Sequence, residues 1–250
     1  AVAALALQQR GFAVTIIDRI KPMPGPHGLG MDIRNVALSR GSRQLIESLI
    51  TWPQQAGMFK TMHVWEQWGV NALNFDAAEL GSDCLGWIAE VAPLLQALWQ
   101  QLEANADIRV VLGDIQAVET DATGVMVTVA EETLHADFLF AADGARSAVR
   151  NLLEVATDIW PTGQSALTTV VETEHSHEHT AWQRFLVDGP LAFLPSKHEH
   201  YCSVVWSQSP ASLETNLGLA DDEFSHRLGA ALENRLGRIV QVAQRLSFPL

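Results

Sequence analysis

The chain has 250 residues, of which 48% are hydrophobic, so it is long enough for one large domain or two smaller ones with cores of their own. Its formal net charge of −13 and its pI near 5.0 exclude the basic stripe that a nucleic-acid-binding surface requires. Its two cysteines, Cys84 and Cys202, are too few for a disulfide scaffold and favour a reducing, cytoplasmic compartment.

The first predicted elements are a helix followed by a strand. Residues 1–10 are rich in good helix formers and precede Gly11, a residue type that often ends helices. Phe12–Ile17 then predicts a strand, which Asp18 closes. This pattern fits the second half of a βαβ dinucleotide-binding unit, in which the strand-end carboxylate binds ribose hydroxyls and a glycine-rich turn lies roughly 10 to 20 residues upstream. Under that interpretation the chain is a fragment, whereas the alternative is an ordinary βα unit of any α/β protein.

A proline- and glycine-rich stretch at residues 20–33 predicts irregular structure. Arg34 follows this stretch, and an amphipathic helix is predicted at residues 39–49. An arginine between a flexible loop and a helix is well placed to bind a phosphate. The alternative is a solvated surface arginine.

The middle of the chain predicts strands around one long helix. Strands are predicted at His63–Trp68 and Ala72–Phe75, and the leucine spacing over residues 90–104 predicts a helix that begins near Pro93. A small antiparallel insert follows, with glycine- and aspartate-containing turns. Its predicted strands are Ile108–Leu112, Ile115–Glu119, Val125–Ala130 and Thr133–His135.

The segment Phe138–Arg150 carries the most specific local pattern. Phe138–Ala142 predicts a buried strand, which ends at Asp143 and Gly144 before a helix that opens near Ala145. Gly144 permits a tight turn, and the unpaired N–H groups at a helix start suit a phosphate or pyrophosphate. The alternative is a strand-turn-helix joint in which Asp143 serves only to cap the helix.

Residues 153–250 differ from residues 1–152 in their hydrophobic pattern, and this difference predicts a second domain. Strands of period two are expected to form an antiparallel sheet with helices at Pro210–Leu217 and Asp221–Leu236 lying on it. The predicted strands are Ser165–Thr173, Ala181–Val187, Leu191–Leu194 and Tyr201–Trp206. The predicted fold class is therefore α/β, with an incomplete Rossmann-like domain in residues 1–152 that carries a small inserted sheet.

With these elements in place, the chain resembles the FAD-dependent aromatic hydroxylases of the p-hydroxybenzoate hydroxylase fold, and among them the ubiquinone-biosynthesis hydroxylases. The resemblance extends in family order over nearly the whole chain. The segments that carry it are AALALQQRGFAVTIID, DIRNVALS, HVWEQWG, FDAAELG, LLQALWQQLEA, FAADGARSAVR, DGPLAFLP, YCSVVWSQSP, ENRLG and SFPL. The family's glycine fingerprint and its second flavin motif, a Gly-Asp segment, are expected outside this chain.

The resemblance implies that Asp18 binds the adenosine ribose of FAD and that Arg34 lies along the phosphate and ribose region. It also implies that Asp143 and Gly144 contact FAD near the pyrophosphate and take part in the path of NAD(P)H. The three positions would then gather around one dinucleotide, and the sheet of residues 181–206 would cover the substrate pocket. The protein's task would be to exclude water and to orient a polyprenyl phenol or benzoquinol ring, which is hydroxylated with NAD(P)H and O₂. No catalytic side chain is identified, and the fragment alone is expected to bind FAD poorly and to be inactive.

Other patterns in the sequence favour different interpretations. The histidines at 175, 177, 179, 198 and 200 could suggest zinc, but they fall in connections expected to be exposed, so no metal site is predicted. Tryptophans could line a pocket for an isoprenoid tail, although only one or two of them are expected to do so. A flavin oxidoreductase without oxygen insertion and a non-catalytic remnant are the alternative functions. By resemblance, assembly with other quinone-pathway enzymes and a peripheral contact at the inner membrane are expected.

Overall fold

The computed structural model describes residues 1–250, which form two compact units. Unit 1 comprises residues 1–22 and 98–160, and unit 2 comprises residues 23–97 and 161–250. The helices are α1 (Val2–Gln8), α2 (Arg40–Glu47), α3 (Val91–Ala104), α4 (Ala148–Leu152), α5 (Pro210–Gly218) and α6 (Asp221–Ala231), with a 3₁₀ helix at Ala77–Leu80. The strands are β1 (Val14–Asp18), β2 (His27–Gly28), β3 (Met31–Asp32), β4 (Asn35–Leu38), β5 (Gly57–Phe59), β6 (Thr61–Glu66), β7 (Ala72–Asp76), β8 (Gly86–Glu90), β9 (Ile108–Leu112), β10 (Ile115–Asp121), β11 (Gly124–Val129), β12 (Glu132–Ala136), β13 (Ser165–Thr173), β14 (Thr180–Leu186), β15 (Gly189–Pro195), β16 (Tyr201–Gln208), β17 (Ile239–Val242) and β18 (Leu246–Pro249).

A pair of parallel strands lies at the centre of unit 1. β1 and β9 run side by side with Val14 opposite Ile108, and α1 packs on β1. After α1 the chain turns at Gly11, whose φ of +85° is a conformation that glycine adopts without strain. The predicted first helix and first strand are confirmed. The assignment of Ile108–Leu112 to an antiparallel insert is wrong, because residue alternation reveals neither the direction of a strand nor its partner.

The rest of the predicted insert is confirmed. β10, β11 and β12 form an antiparallel sheet, and the side chains on one of its faces pack into a small valine-rich core. The buried members of that core are Val118, Val125, Val127, Val129 and Val149. Because Val149 belongs to α4, this core fixes α4 on the sheet.

The predicted buried strand at Phe138–Ala142 is wrong. No strand of the structure pairs with this stretch, and the side chains of Phe138 and Phe140 are 78% and 71% exposed. Only Leu139 packs against the core beneath β10 and β11. An apolar run becomes a strand only where a neighbouring strand supplies hydrogen-bonding partners, and none does so here. The helix expected near Ala145 begins at Ala148.

Unit 2 is dominated by a large sheet in the strand order β17-β13-β16-β15-β14-β6-β7, with β18 pairing with a further part of β13. Every pairing is antiparallel except that of β6 with β14. The antiparallel sheet predicted for the second half of the chain is thus confirmed, and α5 and α6 follow its strands as expected. The core beneath these helices includes the fully buried Phe193, Phe224 and Leu228.

Residues 23–97 contain short strands that the sequence pattern does not reveal. β4, β8 and β5 form a three-stranded sheet, and β2 and β3 form a small hairpin inside the stretch predicted to be irregular. Two- to five-residue strands give too few alternations to be recognised from periodicity. α3 begins at Val91, directly after β8, which places Pro93 in its first turn where a proline is tolerated.

The bounds of the two packing units differ from the predicted boundary between residues 152 and 153. The second boundary falls at residues 160/161, and residues 23–97 pack with the C-terminal part rather than with unit 1. The predicted functional division into residues 1–152 and 153–250 stays a prediction, since packing units and functional domains are different properties. None of the six helices has the length and the apolar character needed to cross a membrane.

Candidate functional site

Asp18 lies at the C-terminal end of β1 in unit 1. Its backbone is held in the sheet, since its carbonyl oxygen accepts the N–H of Gly113 at 2.9 Å. Its exposed carboxylate accepts the N–H of Arg19 through Oδ1 at 2.7 Å. The carboxyl ends of parallel strands are where α/β proteins bind nucleotides, so this carboxylate is accessible at the expected edge of the sheet.

Asp143 and Gly144 form an ordered turn ahead of α4. The Oδ2 atom of Asp143 accepts the N–H of Val149 at 3.2 Å, and Ser147 caps the helix by accepting the N–H of Arg150 at 3.0 Å. Gly144 has φ of +84°, and no heavy atom lies within 4 Å of the place where a side chain would start. The capping role considered for Asp143 is therefore present. The same turn leaves the Gly144 backbone open to solvent.

The carboxylate of Asp143 is stabilised in its charged form by hydrogen bonds. The Ser147 hydroxyl contributes most to lowering the pKa of Asp143, and the N–H groups of Val149 and Ala148 contribute further. A lowered pKa means that this interaction stabilises the turn above the ordinary carboxyl pKa and is lost as the pH falls through the lowered value.

We expect Ser147→Ala to raise the pKa of Asp143 toward its ordinary value of about 3.9. An NMR titration of the Asp143 carboxyl carbon measures this change. Ser147→Thr is the matched control, because it keeps the hydroxyl and should keep the midpoint low. An unchanged midpoint in the alanine variant would show that the serine does not control this carboxylate.

Arg34 lies between β3 and β4 in unit 2, beside a buried carboxylate. Its N–H donates to Oδ1 of Asp32 at 2.9 Å, and its Nε lies 3.6 Å from the same oxygen. Asp32 is fully buried, and its Oδ2 accepts the N–H of Ala92 at the start of α3 at 2.8 Å. The Arg34 side chain is 36% exposed. The buried carboxylate thus holds the base of Arg34 in place while part of the guanidinium side chain reaches solvent.

Two further residues complete this cluster. Glu90 is buried and accepts the N–H of Asp32 at 2.8 Å, and burial raises the pKa of its carboxyl group. A side chain at Gly25 would begin 2.6 Å from the Asp32 carboxylate oxygens and 2.7 Å from Nη2 of Arg34, so only glycine fits there. Neither Asp32 nor Glu90 is predicted from the sequence. The only feature of the sequence that could have indicated a buried carboxylate is the position of Asp32, between the apolar Met31 and Ile33 and two residues before Arg34.

The histidines make hydrogen bonds within unit 2. The expectation that they are all exposed is wrong for His177, which is fully buried. Nδ1 of His177 accepts the N–H of His179 at 3.0 Å, so its Nε2–H donates to the carbonyl oxygen of His198 at 3.1 Å. Burial lowers the pKa of His177 and favours this neutral tautomer. Along the whole chain, no group of three or more His, Cys, Asp or Glu side chains is arranged to hold a metal ion.

One face of the large sheet of unit 2 packs against α5 and α6, whereas the opposite face is covered at Val170, which packs against Met31 and Ile33, and is more open elsewhere. Trp65 and Trp206 are buried on the helix side, where Trp182 packs against the same core. Residues directly opposite in register share a face, so a row of side chains crosses the open face from β7 to β13. This open row consists of Leu73, Val64, Gln183, Ala192, Val205 and Thr168. All six are exposed or half-buried, which makes the row a largely apolar surface with a single amide.

The family of the protein follows from its sequence, and the fold agrees with it. Unit 1 has a parallel strand pair and the turn at Gly144, and unit 2 has a large, mainly antiparallel sheet. Residues 1–236 match the family model described as FAD binding domain, and the chain belongs to this family. The predicted α/β FAD-binding fold is thereby confirmed, and FAD is the cofactor of the family.

Ubiquinone-biosynthesis hydroxylases are among the curated relatives. The chain is 33% identical over 253 residues to the 3-demethoxyubiquinol 3-hydroxylase of Escherichia coli, an alignment that covers 99% of this chain and 64% of the relative. It is 31% identical to the mouse ubiquinone biosynthesis monooxygenase COQ6, over 78% of this chain and 44% of the relative. The chain therefore spans less than two thirds of the length of these relatives.

Solved structures of similar fold include FAD-dependent monooxygenases. The Pseudomonas aeruginosa protein PqsL, described as a probable FAD-dependent monooxygenase, superposes with a TM-score of 0.76 at 14% identity, covering 100% of this chain and 70% of PqsL. The p-nitrophenol 4-monooxygenase PnpA of Pseudomonas putida gives a TM-score of 0.68 at 17% identity, covering 99% of this chain and 64% of PnpA. At these identities the likeness shows the fold alone.

Proposed function

We propose that the chain is part of an FAD-dependent monooxygenase that hydroxylates a polyprenyl phenol or benzoquinol ring in ubiquinone biosynthesis, with NAD(P)H and O₂ as co-substrates. The observation that carries this proposal is the 33% identity to the E. coli 3-demethoxyubiquinol 3-hydroxylase across nearly all of this chain. The 27% identity to the ubiquinone hydroxylase UbiL of Rhodospirillum rubrum, over 99% of this chain, supports the same class of substrate.

The proposed cofactor contacts fit the chemistry of FAD within each unit. In unit 1, the exposed Asp18 carboxylate would accept hydrogen bonds from ribose hydroxyls, and the open backbone at Gly144 would approach the pyrophosphate. Asp143 would order the turn that presents Gly144. In unit 2, Arg34 would contribute a guanidinium for a phosphate, with Asp32 fixing its backbone. When bound, FAD supplies electron transfer from NAD(P)H and the activation of O₂.

The open row of unit 2 is the proposed substrate face. Its half-buried apolar side chains would displace water from an aromatic ring, which suits a reaction that must exclude solvent. Gln183, at the centre of the row, can donate or accept a hydrogen bond and would orient a ring oxygen. Because FAD would supply the reactive chemistry, the proposed reaction requires no nucleophile or acid–base pair from these strands.

The decisive experiment is an assay of the full-length protein, of which this chain is a part, with a short-chain demethoxyubiquinol, NADH or NADPH, and air. We expect a product heavier by one oxygen atom, with the added oxygen derived from ¹⁸O₂. Consumption of NAD(P)H without this product would instead identify an oxidoreductase that does not insert oxygen. Absence of flavin absorbance from the full-length protein after incubation with FAD would identify a non-catalytic remnant.

Asp18→Ala is expected to weaken FAD binding. Hydrogen bonds to a charged group contribute about 1.5–3 kcal/mol, which corresponds to an increase in the dissociation constant of about 10- to 100-fold. Quenching of flavin fluorescence measures the affinity. Asp137→Ala is the matched control, because it removes another exposed carboxylate of unit 1. Equal affinities of both variants and the parent protein would contradict the assignment of Asp18.

We further propose a cytoplasmic protein that contacts the inner membrane peripherally and assembles with other enzymes of quinone synthesis. Support comes from the substrate class, because a polyprenyl chain resides in the bilayer and the enzyme must reach it there. Fractionation of cells that express the tagged protein tests this proposal. Recovery in the membrane fraction that is released by carbonate is the expected result.

A further inference from the structure

Two neighbouring turns at one end of the large sheet expose apolar side chains. One turn joins β6 to β7 and carries Trp68 and Val70, which are 80% and 98% exposed. The other joins β14 to β15 and carries Val187, which is 70% exposed. We call these three residues the hairpin tips. The hairpin tips thus place one exposed tryptophan and two exposed valines on neighbouring turns.

The two turns are fixed side by side through Gln67. Its N–H donates to the carbonyl oxygen of Phe185 at 2.9 Å, and its Oε1 accepts the N–H of Val187 at 3.0 Å. The buried Arg184 also donates to the carbonyl oxygen of Gln67 at 3.4 Å, and it forms an ion pair with Glu233 at 2.7 Å. The hairpin tips are therefore a single projecting surface rather than two independent loops.

Two carboxylates lie beside the hairpin tips, that of Asp188 in the second turn and that of Glu66 over Gly69, between Trp68 and Val70. The Asp188 carboxylate accepts the N–H of Ser209 at the start of α5, at 3.2 Å. The Glu66 side chain lies over Gly69, where its Cγ is 2.4 Å from the place where a side chain would start. Neither residues 61–72 nor residues 185–189 contain a lysine or arginine. This surface would gain nothing from anionic lipid headgroups.

The hairpin tips continue into the proposed substrate face. Leu73, 64% exposed, lies beside Val64 in register and begins the open row, and Phe185, 48% exposed, lies near the C-terminal end of β14. Glu66 shares this face of β6 with Val64 and lies opposite Phe185 in register, so its exposed carboxylate borders the apolar surface that runs from the hairpin tips along β7 through Leu73 toward Gln183. A chain of isoprene units lying on this surface would be partly removed from water.

We infer that the hairpin tips insert into the surface of an uncharged lipid bilayer and that the polyprenyl tail of the substrate passes from the bilayer onto the open row. The inference rests on the proposed function for the nature of the substrate. An exposed surface with tryptophan and aliphatic side chains, and without lysine or arginine, suits the headgroup–acyl boundary of a neutral membrane. The neighbouring carboxylates favour zwitterionic over anionic lipid.

Sedimentation with phosphatidylcholine vesicles tests the inference. We expect the parent protein to bind and the double variant Trp68→Ser/Val70→Ser to lose about tenfold or more in its partition coefficient. Trp160→Ser is the matched control, because it removes a tryptophan that is 79% exposed in unit 1. Equal binding of the double variant and the parent would overturn the inference, as would binding that requires phosphatidylglycerol. Self-association of the parent that the double variant abolishes, without vesicle binding, would identify a second copy of the chain as the true partner and would also overturn it.

A turnover assay separates this inference from the proposed function. With a water-soluble short-chain quinol, the double variant should hydroxylate at the parent rate, and it should be slower only with a long-chain quinol in vesicles. Vesicle binding through the hairpin tips together with no hydroxylation of any quinol would refute the proposed function and leave the membrane contact in place. Equal rates of the variant and the parent with the vesicle-bound quinol would refute the transfer of the tail.

Discussion

Asp32→Ala is expected to lower the free energy of unfolding of unit 2 by about 3 kcal/mol, because it removes a buried carboxylate from three partners at once. The N–H groups of Arg34 and Ala92 would lose their acceptors, and the Arg34 guanidinium would lose its nearest anion. Urea unfolding followed by tryptophan fluorescence measures the loss. Because the same carboxylate joins the segment before β4 to the start of α3, the variant should also bind FAD more weakly.

Two control variants show whether the carboxylate itself is responsible. Asp32→Asn keeps one oxygen acceptor and should lose less stability than the alanine variant. Asp83→Ala, which removes an exposed carboxylate of the same unit, should change stability by no more than about 0.5 kcal/mol. A loss below about 1 kcal/mol in Asp32→Ala would mean that the neighbouring chain rearranges to satisfy both N–H groups.

Phe224→Ala should have an even larger effect on stability, about 3–5 kcal/mol, through the cavity that it leaves between α6 and the large sheet. The ring is fully buried in the core that contains Leu167 and Leu228, and the guanidinium carbon of Arg245 lies 4.8 Å from its centre. Urea unfolding measures the loss. Phe224→Leu fills part of the space and should cost less.

Phe138→Ala provides the opposite control for this prediction. The Phe138 ring is 78% exposed, so its removal should change stability by about 0.5 kcal/mol or less. Similar losses for Phe138→Ala and Phe224→Ala would show that Phe138 is buried in solution. That outcome would agree with the burial, although not with the strand, predicted for Phe138–Ala142.

The elements that the sequence predicts well are those whose signals are local. The strand Ser165–Thr173 was predicted with its observed bounds, because nine residues with a clear pattern suffice to define it. The parallel pairing of β9 with β1 was missed because it depends on a partner far away in the chain. Phe138–Ala142 shows the same limit, since its apolar composition carries no information on whether a neighbouring strand is present.

Some residues of the candidate site can likewise be recognised from local sequence, whereas others cannot. Asp18 and Asp143 stand out in the sequence because each follows an apolar run and precedes a turn or a helix. Asp32 and Glu90 gain their importance only from the fold, which brings two carboxylates that are 58 residues apart in the chain together beside Arg34. Buried charge that serves to hold another residue leaves little trace in local patterning.

The parallel pairing of β6 with β14 has a consequence for how the protein folds. Thr61 and Thr180 hydrogen-bond through their hydroxyls across 119 positions of the chain, so the large sheet cannot be joined until both segments have left the ribosome. The entropy cost of closing a loop of this length slows folding. Until β14 pairs with β6, the β6–β7 hairpin would have an exposed strand edge. A nascent chain of this kind depends on chaperones more than a protein built from local contacts does, and its yield should fall when translation outpaces them.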